Sequence, residues 1–365
     1  MSDVVRAALA AVVDGRTLTM DEAHAAMGSV MDGEATQAQL AALLVALRMR
    51  GETTAELAGF AAAMRERVLR VIAPAGAIDV VGTGGDRSGT FNISTTAALV
   101  VAAAGVPVAK HGNRAITSRS GSADVLEALG VRTDHDDASA AAALREDGFA
   151  FMLATAFHPA MRFAGPTRKE IGVRTAFNLL GPLTNPAGVA RLVVGVGDAT
   201  AAPKVAEVLR LLGQDRAIVV HGAGVDELPL DGSGVIHDVS PDAVVESAVD
   251  AEALARLGLG QVDTAALAGG SPEENAALVE AVLGGAPGPR RDVVLLNAAA
   301  GFVAAGRASD LAAGVALAAA TIDAGTPLAL LARLRAAKIA ARVAAKVAAD
   351  PGRAAAAGAN ASPRP

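Results

Sequence analysis

The sequence predicts an α/β protein with a separate small α-helical domain, and three observations carry that prediction. The first seventy or so residues show only helical patterns, with repeated start signals. From residue 77 onward, short β-branched runs alternate with alanine-rich helical patterns, which is typical of a mainly parallel sheet flanked by helices. The chain has 365 residues and is 52% hydrophobic, so it can fill a large core in one or two domains.

The composition excludes several classes of protein. The chain has no cysteine, so disulfides and thiolate metal sites are impossible. Its net charge is -6 and no long Lys/Arg run occurs, which argues against a nucleic-acid surface. Its first residues lack a basic start followed by an apolar run, and no stretch that could span a bilayer is free of charge. We therefore expect a cytoplasmic protein with neither nucleic acid nor membrane as a partner.

The helical region begins with three capping boxes, in which a hydroxyl and an acid or amide three residues later satisfy the first N–H groups of a helix. They pair Thr19 with Glu22, Thr36 with Gln39, and Thr53 with Glu56. Between the last two boxes, Leu40, Leu43, Leu44 and Leu47 repeat at helical spacing, and Gly51 ends that helix. The leucine face exceeds what one thin layer can bury on itself, so we expect it to form a homodimer contact.

The alternating region contains five strand candidates, at residues 78–81, 106–108, 149–153, 192–196 and 217–220. Residues 158–186 interrupt the alternation with a run rich in Arg, Pro and Gly, which either forms a long active-site element or returns to the helical domain. The predicted domains are therefore residues 1–74, joined by part of residues 158–190, and residues 75–349. The Ala/Gly/Pro-rich tail at residues 350–365 is predicted to be disordered.

A glycine-rich turn follows the first strand candidate. It runs from Gly82 through Gly84 and Gly85 to Asp86, and the hydroxyl-rich residues 90–96 then open a helix. Glycines let the backbone approach a ligand closely, and the free N–H groups of a helix start favour phosphate. The turn is neither the dinucleotide fingerprint, which needs a third glycine, nor a P-loop, which needs Gly-Lys-Ser/Thr. The pattern predicts an anion site.

A second polar cluster lies at residues 110–114, Lys-His-Gly-Asn-Arg, after the second strand candidate, and residues 118–124 open the next helix. Two phosphate-suited elements so close together indicate a ligand with more than one phosphate group. Asp86 beside the glycines would repel phosphate unless a metal ion lay between them, and Mg²⁺ accepts carboxylate and substrate oxygens. The sequence therefore predicts Mg-pyrophosphate chemistry.

The interrupting segment carries several cations in an otherwise acidic chain, among them Arg162, Arg168 and Arg174. For any single arginine, a solvated helix face is the ordinary interpretation. Here the cations alternate with prolines and apolar residues, which favours a buried anionic partner, and a bidentate arginine suits a carboxylate.

Taken together, these motifs resemble the anthranilate phosphoribosyltransferase family over nearly the whole chain, from Thr19 to Asn297. The resemblance rests on the run from Gly82 to Thr95, the Lys-His-Gly-Asn-Arg run at 110–114, Gly121 to Leu126, His158 to Met161, and Phe177 to Pro186. It implies a helical domain hinged to an α/β domain of the nucleoside phosphorylase and phosphoribosyltransferase type. It also implies transfer of a phosphoribosyl group from phosphoribosyl pyrophosphate to anthranilate in tryptophan biosynthesis, by a Mg²⁺-dependent homodimer.

The resemblance also implies roles for individual residues. The phosphoribosyl pyrophosphate site would comprise Gly82, Gly85, Asp86, Thr90, Asn92, Ser94, Thr95, Lys110 and Ser122. The anthranilate path would comprise Asn113, His158, Arg168 and Gly181, with Arg168 facing the carboxylate. One Mg²⁺ would lie near Asp86 and Ser94, and a second would belong to Asp226 and Glu227. The predicted catalytic residues are Lys110, Asp86, Asn113 and Arg168.

Alternatives remain for some of these assignments. Adjacent carboxylates such as Asp226 and Glu227 often only start a helix, Lys110 could cap a solvated loop, and His111 could be structural. The whole chain could instead be a pyrimidine nucleoside phosphorylase, although that family should show a Lys-Ser pair within residues 90–94 and lack the segment at 168–186. A non-catalytic nucleic-acid-binding paralogue is a third possibility, which the acidic balance opposes.

Overall fold

The computed structural model describes residues 1–86, 88–115 and 119–349, so the predicted disordered tail at residues 350–365 lies outside the described residues. A small helical domain precedes an α/β domain built on a seven-stranded sheet. The first four helices are α1 Asp3–Val13, α2 Met20–Met31, α3 Gln37–Arg50 and α4 Thr54–Glu66. The strands are β1 Ile78–Gly82, β2 Val108–Gly112, β3 Phe149–Leu153, β4 Arg191–Gly195, β5 Arg216–His221, β6 Gly234–Val239 and β7 Val244–Val249.

The other helices cover the sheet or line its edge. They are α5 Ile93–Ala103, α6 Ser122–Ala128, α7 Asp137–Glu146, α8 Ala154–Phe157, α9 Gly165–Ile171, α10 Phe177–Leu180, α11 Ala202–Leu211, α12 Ala251–Arg256, α13 Pro272–Leu283, α14 Pro289–Ala304, α15 Leu311–Asp323 and α16 Thr326–Ala349. Short 3₁₀ turns occupy Pro159–Arg162, Gly181–Leu183 and Thr264–Leu267. Within the described residues no single helix has the length and apolar composition to cross a membrane, and only the bent pair Leu311–Asp323 and Thr326–Ala344 meets that test jointly.

The strand order is β3-β2-β1-β4-β5-β6-β7, with parallel pairing from β3 to β5. The prediction of a mainly parallel sheet flanked by helices is confirmed. The chain leaves β1 toward β2 on one side and later returns to β4 on the other. Ligands of open α/β sheets bind at such a switch point, beyond the carboxyl ends of the strands. Gly82 and Gly195 are partners at that point.

The helix starts and one helix end agree with the sequence prediction. All three capping boxes are formed, and Gly51 caps α3 with φ of 89°. The leucine face, however, is not available for a dimer contact, because Leu40, Leu43, Leu44 and Leu47 are all at most 2% exposed within one chain. Helices α1 and α9 pack against α3, so the interrupting segment, which contains α9, covers part of this helix.

One strand prediction is wrong, and two strands were missed. The strand expected at residues 106–108 begins only at Val108, because Gly105 takes a positive φ after α5 and Pro107 has no N–H to donate. Strand β2 continues to Gly112, so it includes Lys110 and His111. The antiparallel strands β6 and β7 were missed, since β7 is largely exposed and shows no apolar run.

Two apolar clusters fill the protein, one on each face of the sheet. One lies between the sheet and helices that include α5, α13 and α14. The other is continuous from the helical domain, through the interrupting segment, to the opposite sheet face. Phe177, Leu180 and Leu183 belong to this second cluster, so the segment at residues 158–186 packs on the helical domain and also borders the strand ends.

Candidate active site

The edge of the sheet at the switch point is shaped by glycines. We call it the glycine-turn edge, comprising residues 82–86 with Ser94, Asp226 and Glu227. Gly84 and Gly85 have φ of 68° and 70°, a conformation that other residues adopt only with strain. A Cβ on Gly82 would overlap the Asp226 carboxylate, and one on Gly195 would overlap the Asp226 backbone. Gly195 was missed from sequence, although its place at the end of a strand candidate, like that of Gly82, was a usable signal.

Asp226 and Glu227 close this edge from the loop after β5. The N–H of Gly84 donates to Asp226 Oδ2 at 2.7 Å, and the N–H of Ser94 donates to Glu227 Oε1 at 3.0 Å. The next element after these acids is β6, which excludes the interpretation as a helix start. Burial raises the pKa of the Asp226 carboxyl, and the charge of Asp86 adds to that shift. Burial and Asp226 together raise the pKa of Glu227.

The donor set at the glycine-turn edge suits a hard cation. Asp226 and Glu227 are adjacent here, and the charge of Asp86 helps to raise the pKa values of both. Among the described residues, no group of three or more ligating side chains is already arranged around a metal position. Mg²⁺ is typically held by one or two carboxylates together with substrate phosphates and water, and not by a complete protein cage. The residues present therefore fit Mg²⁺ that shares its ligands with a phosphorylated substrate.

Lys110 lies beneath this edge. Its side chain is 1% exposed, and its Nζ donates to the carbonyl oxygen of Val80. Burial lowers the pKa of the ammonium, while Asp79, Glu227 and Asp226 act in the opposite direction. The interpretation as a cap on a solvated loop is therefore wrong. The structure brings the cation to the acids of the glycine-turn edge but encloses it within the sheet.

The remaining residues expected around the donor differ in accessibility. Asn92 links two distant parts of the chain: its Oδ1 accepts from Asn275 Nδ2 at 2.9 Å, and its Nδ2 donates to Ser120 O at 3.2 Å. Thr90 is half-buried at the turn. Thr95 is fully buried, with no partner for its hydroxyl among the described residues, so this conformation does not present it to a ligand.

Ser122 lies where the second polar cluster meets its helix. It is the first residue of α6 and is half-buried. The carboxylate of Asp124 accepts from the N–H groups of Gly121 and Ala115 at 2.9 and 2.8 Å, which fixes the loop before the helix. Ser118, in the same cluster, lies outside the described residues.

A cavity of about 570 Å³ adjoins the glycine-turn edge, between the sheet and the interrupting segment. It brings together five predicted site residues, namely Gly82, Asn113, His158, Arg168 and Gly181. Apolar side chains such as Met64 and Phe177 form much of its wall. No described aspartate or glutamate lines it, so the cavity is built for a ligand that is partly apolar and negatively charged.

Arg168 supplies the fixed charge of this cavity. It lies on α9 and its guanidinium stacks on the Phe177 ring, 4.7 Å from the centroid. Burial lowers its pKa, and it forms no ion pair with a described carboxylate. A half-buried guanidinium with one face on an aromatic ring keeps its N–H edge for a planar anion.

Two histidines lie at the wall of the cavity nearest the sheet. His111 lies near the end of β2 and His158 follows α8, and their Nε2 atoms are 3.2 Å apart. Both are buried, at 3% and 7% exposure. Burial lowers the pKa of His111 to about 3 and that of His158 to about 4. The two rings are therefore neutral at neutral pH, and His111 belongs to the cavity that His158 was predicted to line.

The chain matches known families over most of its length. Residues 6–68 match the helical bundle domain of the glycosyl transferase family, and residues 75–328 match its a/b domain. Anthranilate phosphoribosyltransferase of Chloroflexus aggregans is 53% identical over 332 residues, which cover 90% of this chain and 97% of that protein.

Solved structures of anthranilate phosphoribosyltransferases have a similar fold. The anthranilate phosphoribosyltransferase of Thermus thermophilus superposes with a TM-score of 0.84 at 46% identity, covering 90% of this chain and 98% of that one. The Saccharomyces cerevisiae enzyme in complex with PRPP and Mg has a TM-score of 0.82 at 25% identity, covering 93% and 99%.

Proposed function

Because the chain belongs to the anthranilate phosphoribosyltransferase family, we propose that it transfers the 5-phosphoribosyl group of phosphoribosyl pyrophosphate to the amine of anthranilate, releasing pyrophosphate. The observation that carries the proposal is the pairing of two sites. The glycine-turn edge is rich in backbone donors and carboxylates, and the adjoining cavity holds Arg168 and no described acid. A phosphorylated donor and an aromatic carboxylate acceptor fit these two sites.

We assign the donor to the glycine-turn edge. The N–H groups of Gly84 and Ser94, which now donate to Asp226 and Glu227, are suited to phosphate oxygens, and the two carboxylates to Mg²⁺. The proposed donor site also includes Gly82, Gly85, Asp86, Thr90, Asn92, Thr95, Lys110 and Ser122. When bound, Mg²⁺ would neutralise charge that develops on the departing pyrophosphate, and two ions are proposed.

The acceptor belongs in the cavity, where Asn113, His158, Arg168 and Gly181 line the wall. We assign to Arg168 the carboxylate of anthranilate. Lys110, enclosed under the glycine-turn edge, adds fixed positive charge on the side from which pyrophosphate leaves. The anthranilate amine is a neutral nucleophile, so holding it against the anomeric carbon accounts for much of the catalysis.

Water must be kept from the sugar cation that forms as pyrophosphate leaves. The interrupting segment contacts the helical domain, since the Nε of Arg65 in α4 donates to Leu183 O at 2.6 Å. Just before the segment, Phe157 O accepts from the N–H of Leu69 at 2.9 Å. We propose a hinge between residues 1–74 and the α/β domain, residues 75–349, with closure over the cavity. We also propose that the enzyme acts in tryptophan biosynthesis, as a homodimer in the cytoplasm.

The test is an assay of the purified full-length chain with anthranilate, phosphoribosyl pyrophosphate and Mg²⁺, followed by the loss of anthranilate fluorescence. Product formation that requires all three components is expected. Phosphorolysis of a pyrimidine nucleoside without anthranilate turnover would instead indicate the nucleoside phosphorylase alternative. Salt-dependent DNA binding without turnover would indicate the nucleic-acid-binding alternative.

A further inference from the structure

Arg174 is an arginine of the interrupting segment that contacts the glycine turn directly. It lies in the connection between α9, which carries Arg168, and α10. Its Nη2 donates to the carbonyl oxygen of Gly85. One segment therefore supplies a guanidinium to the cavity and a second guanidinium to the glycine-turn edge.

Arg174 makes this bond although acids are close to it. A small cavity of about 110 Å³ adjoins the glycine turn, and its lining includes three cations, Arg48, Arg174 and Lys204, and two acids, Glu52 and Asp198. The Asp198 carboxylate accepts from the N–H and the hydroxyl of Thr200, at 2.9 and 2.7 Å. Among the described residues Arg174 forms no ion pair, so its bond to the backbone of the turn is its principal polar contact.

The bond fixes the plane of the peptide that joins Gly85 to Asp86. The described residues contain no cis peptide bond, and a trans peptide points its C=O and N–H groups in opposite directions. With the Gly85 carbonyl held toward Arg174, the N–H of Asp86 points away from that guanidinium. The N–H groups of Gly85 and Asp86 have no acceptor among the described residues, which leaves both available to an anion.

The rest of the turn restrains this peptide only weakly. Gly84 and Gly85 both have positive φ, and glycine loses the most conformational freedom when it is fixed. The N–H of Thr83 donates to Gly195 O at 2.9 Å and that of Gly84 to Asp226 Oδ2 at 2.7 Å, but both bonds precede the Gly85–Asp86 peptide. Arg174 supplies the restraint at the peptide itself.

We propose that Arg174 is a positioning residue for the phosphoribosyl donor. By holding the Gly85 carbonyl, it keeps the N–H of Asp86 in the orientation that donates to a phosphate oxygen of the pyrophosphate group. This inference rests on the proposed function. A donor that is already oriented needs no rearrangement when the ligand binds, so the contact raises affinity for phosphoribosyl pyrophosphate. The charge of Arg174 contributes less, because its side chain is exposed and is screened by salt.

Calorimetry of phosphoribosyl pyrophosphate binding to the full-length protein, in the presence of Mg²⁺, tests the proposal. Arg174→Met should raise the Kd about tenfold, because it removes a hydrogen bond from a charged donor. Arg174→Lys should stay within about threefold of the wild type, since its ammonium can still donate to the carbonyl. The Kd for anthranilate, measured without the donor, should be the same in all these proteins.

Arg48→Met is the matched control. It removes the same charge from the same small cavity, but Arg48 is exposed and makes no hydrogen bond to the glycine turn. Its Kd for phosphoribosyl pyrophosphate should stay within about twofold of the wild type. The effect of Arg174→Met should also persist at about 0.5 M KCl, where interactions between distant exposed charges are screened.

A rise of less than about threefold in Arg174→Met would overturn the proposal and leave the proposed function standing. An equal rise in Arg48→Met, or loss of the Arg174 effect in salt, would also overturn it, because charge alone would then explain the result. Failure of the wild type to bind phosphoribosyl pyrophosphate would contradict the proposed function itself.

A measurement on the wild type reports the peptide directly. Glycine is followed by aspartate at two places, Gly85–Asp86 and Gly197–Asp198, so protein labelled with ¹³C-carbonyl glycine and ¹⁵N-aspartate gives two signals. When Mg²⁺ and pyrophosphate are added, the Asp86 N–H should move to lower field while the Gly85 carbonyl stays in place. In Arg174→Met the Gly85 carbonyl should move to higher field. A carbonyl that moves as far on ligand binding as it does in Arg174→Met would show that the contact breaks, and would overturn the proposal.

Discussion

Burial acts on opposite charges in the two parts of the site. At the glycine-turn edge it raises the pKa values of Asp226 and Glu227, whereas in the cavity it lowers those of Arg168, His111 and His158. In both places burial disfavours the charged form of a side chain as long as no ligand of opposite charge is bound. The first part therefore needs a cation, and the second needs an anion. This difference in required charge matches the proposed donor at the glycine-turn edge and the proposed acceptor in the cavity. Variants in each part test it separately.

Lys110→Met should produce the largest effect, because Lys110 neutralises the acids of the first part from inside the sheet. Methionine keeps the aliphatic stem, but Asp79 then loses its buried cation, so the free energy of unfolding should fall by about 3–5 kcal/mol. Chemical denaturation measures that loss. Affinity for Mg²⁺ and phosphoribosyl pyrophosphate should fall as well, and a calorimetric change below about threefold, roughly 0.7 kcal/mol, would remove Lys110 from the donor site.

Arg168→Ala tests the second part. Losing the guanidinium should raise the free energy of anthranilate binding by about 2–5 kcal/mol, with little change for phosphoribosyl pyrophosphate, because only the carboxylate loses its partner. Steady-state kinetics with each substrate varied in turn measures the difference. Lys169→Ala, at the neighbouring position on α9, is the control and should change neither KM. An unaltered anthranilate KM and kcat in Arg168→Ala would refute the assignment.

The double variant Asp226→Asn, Glu227→Gln addresses the acids directly. Turnover should fall by about 100-fold, or roughly 2.7 kcal/mol, and more Mg²⁺ should be required. The fold should be retained, since the amides preserve the acceptors for Gly84 and Ser94 and remove mutual repulsion. Activity titrated against Mg²⁺, beside a melting curve, separates the two effects. Asp242→Asn, in the exposed turn between β6 and β7, is the control, and an identical Mg²⁺ dependence in the double variant would exclude both acids as ligands.

The smallest expected effect concerns His135, a buried histidine outside the proposed site. Burial lowers the pKa of His135 from 6.5 to about 4, with Arg132 acting in the same direction. The unfolded chain therefore binds this proton more readily, so stability is fully present above pH 6.5 and is lost as pH falls toward 4. The slope attributable to His135 is at most about 1.4 kcal/mol per pH unit. Denaturation at several pH values should show a shallower acid slope in His135→Gln, and an equal slope would contradict a buried neutral ring.

Local features of this protein could be predicted from the sequence, whereas contacts between distant segments could not. The capping boxes at Thr19, Thr36 and Thr53 are local, because the partners are three residues apart on one helix, and all were predictable. The glycine turn was predictable for the same reason. The leucine face of α3 was recognised correctly, but its cover was not, because α9 lies more than a hundred residues further along the chain.

The sequence by itself determined the helical domain, the mainly parallel sheet, the glycine turn and the motifs of the family, since these depend on neighbours along the chain. Only the tertiary structure decided that Lys110 is enclosed in a strand, that Gly195 makes room for Asp226, and that His111 meets His158 at 3.2 Å. The pKa shifts follow from these placements. Burial and long-range contact depend on how distant segments pack, and no local pattern in the chain records that arrangement.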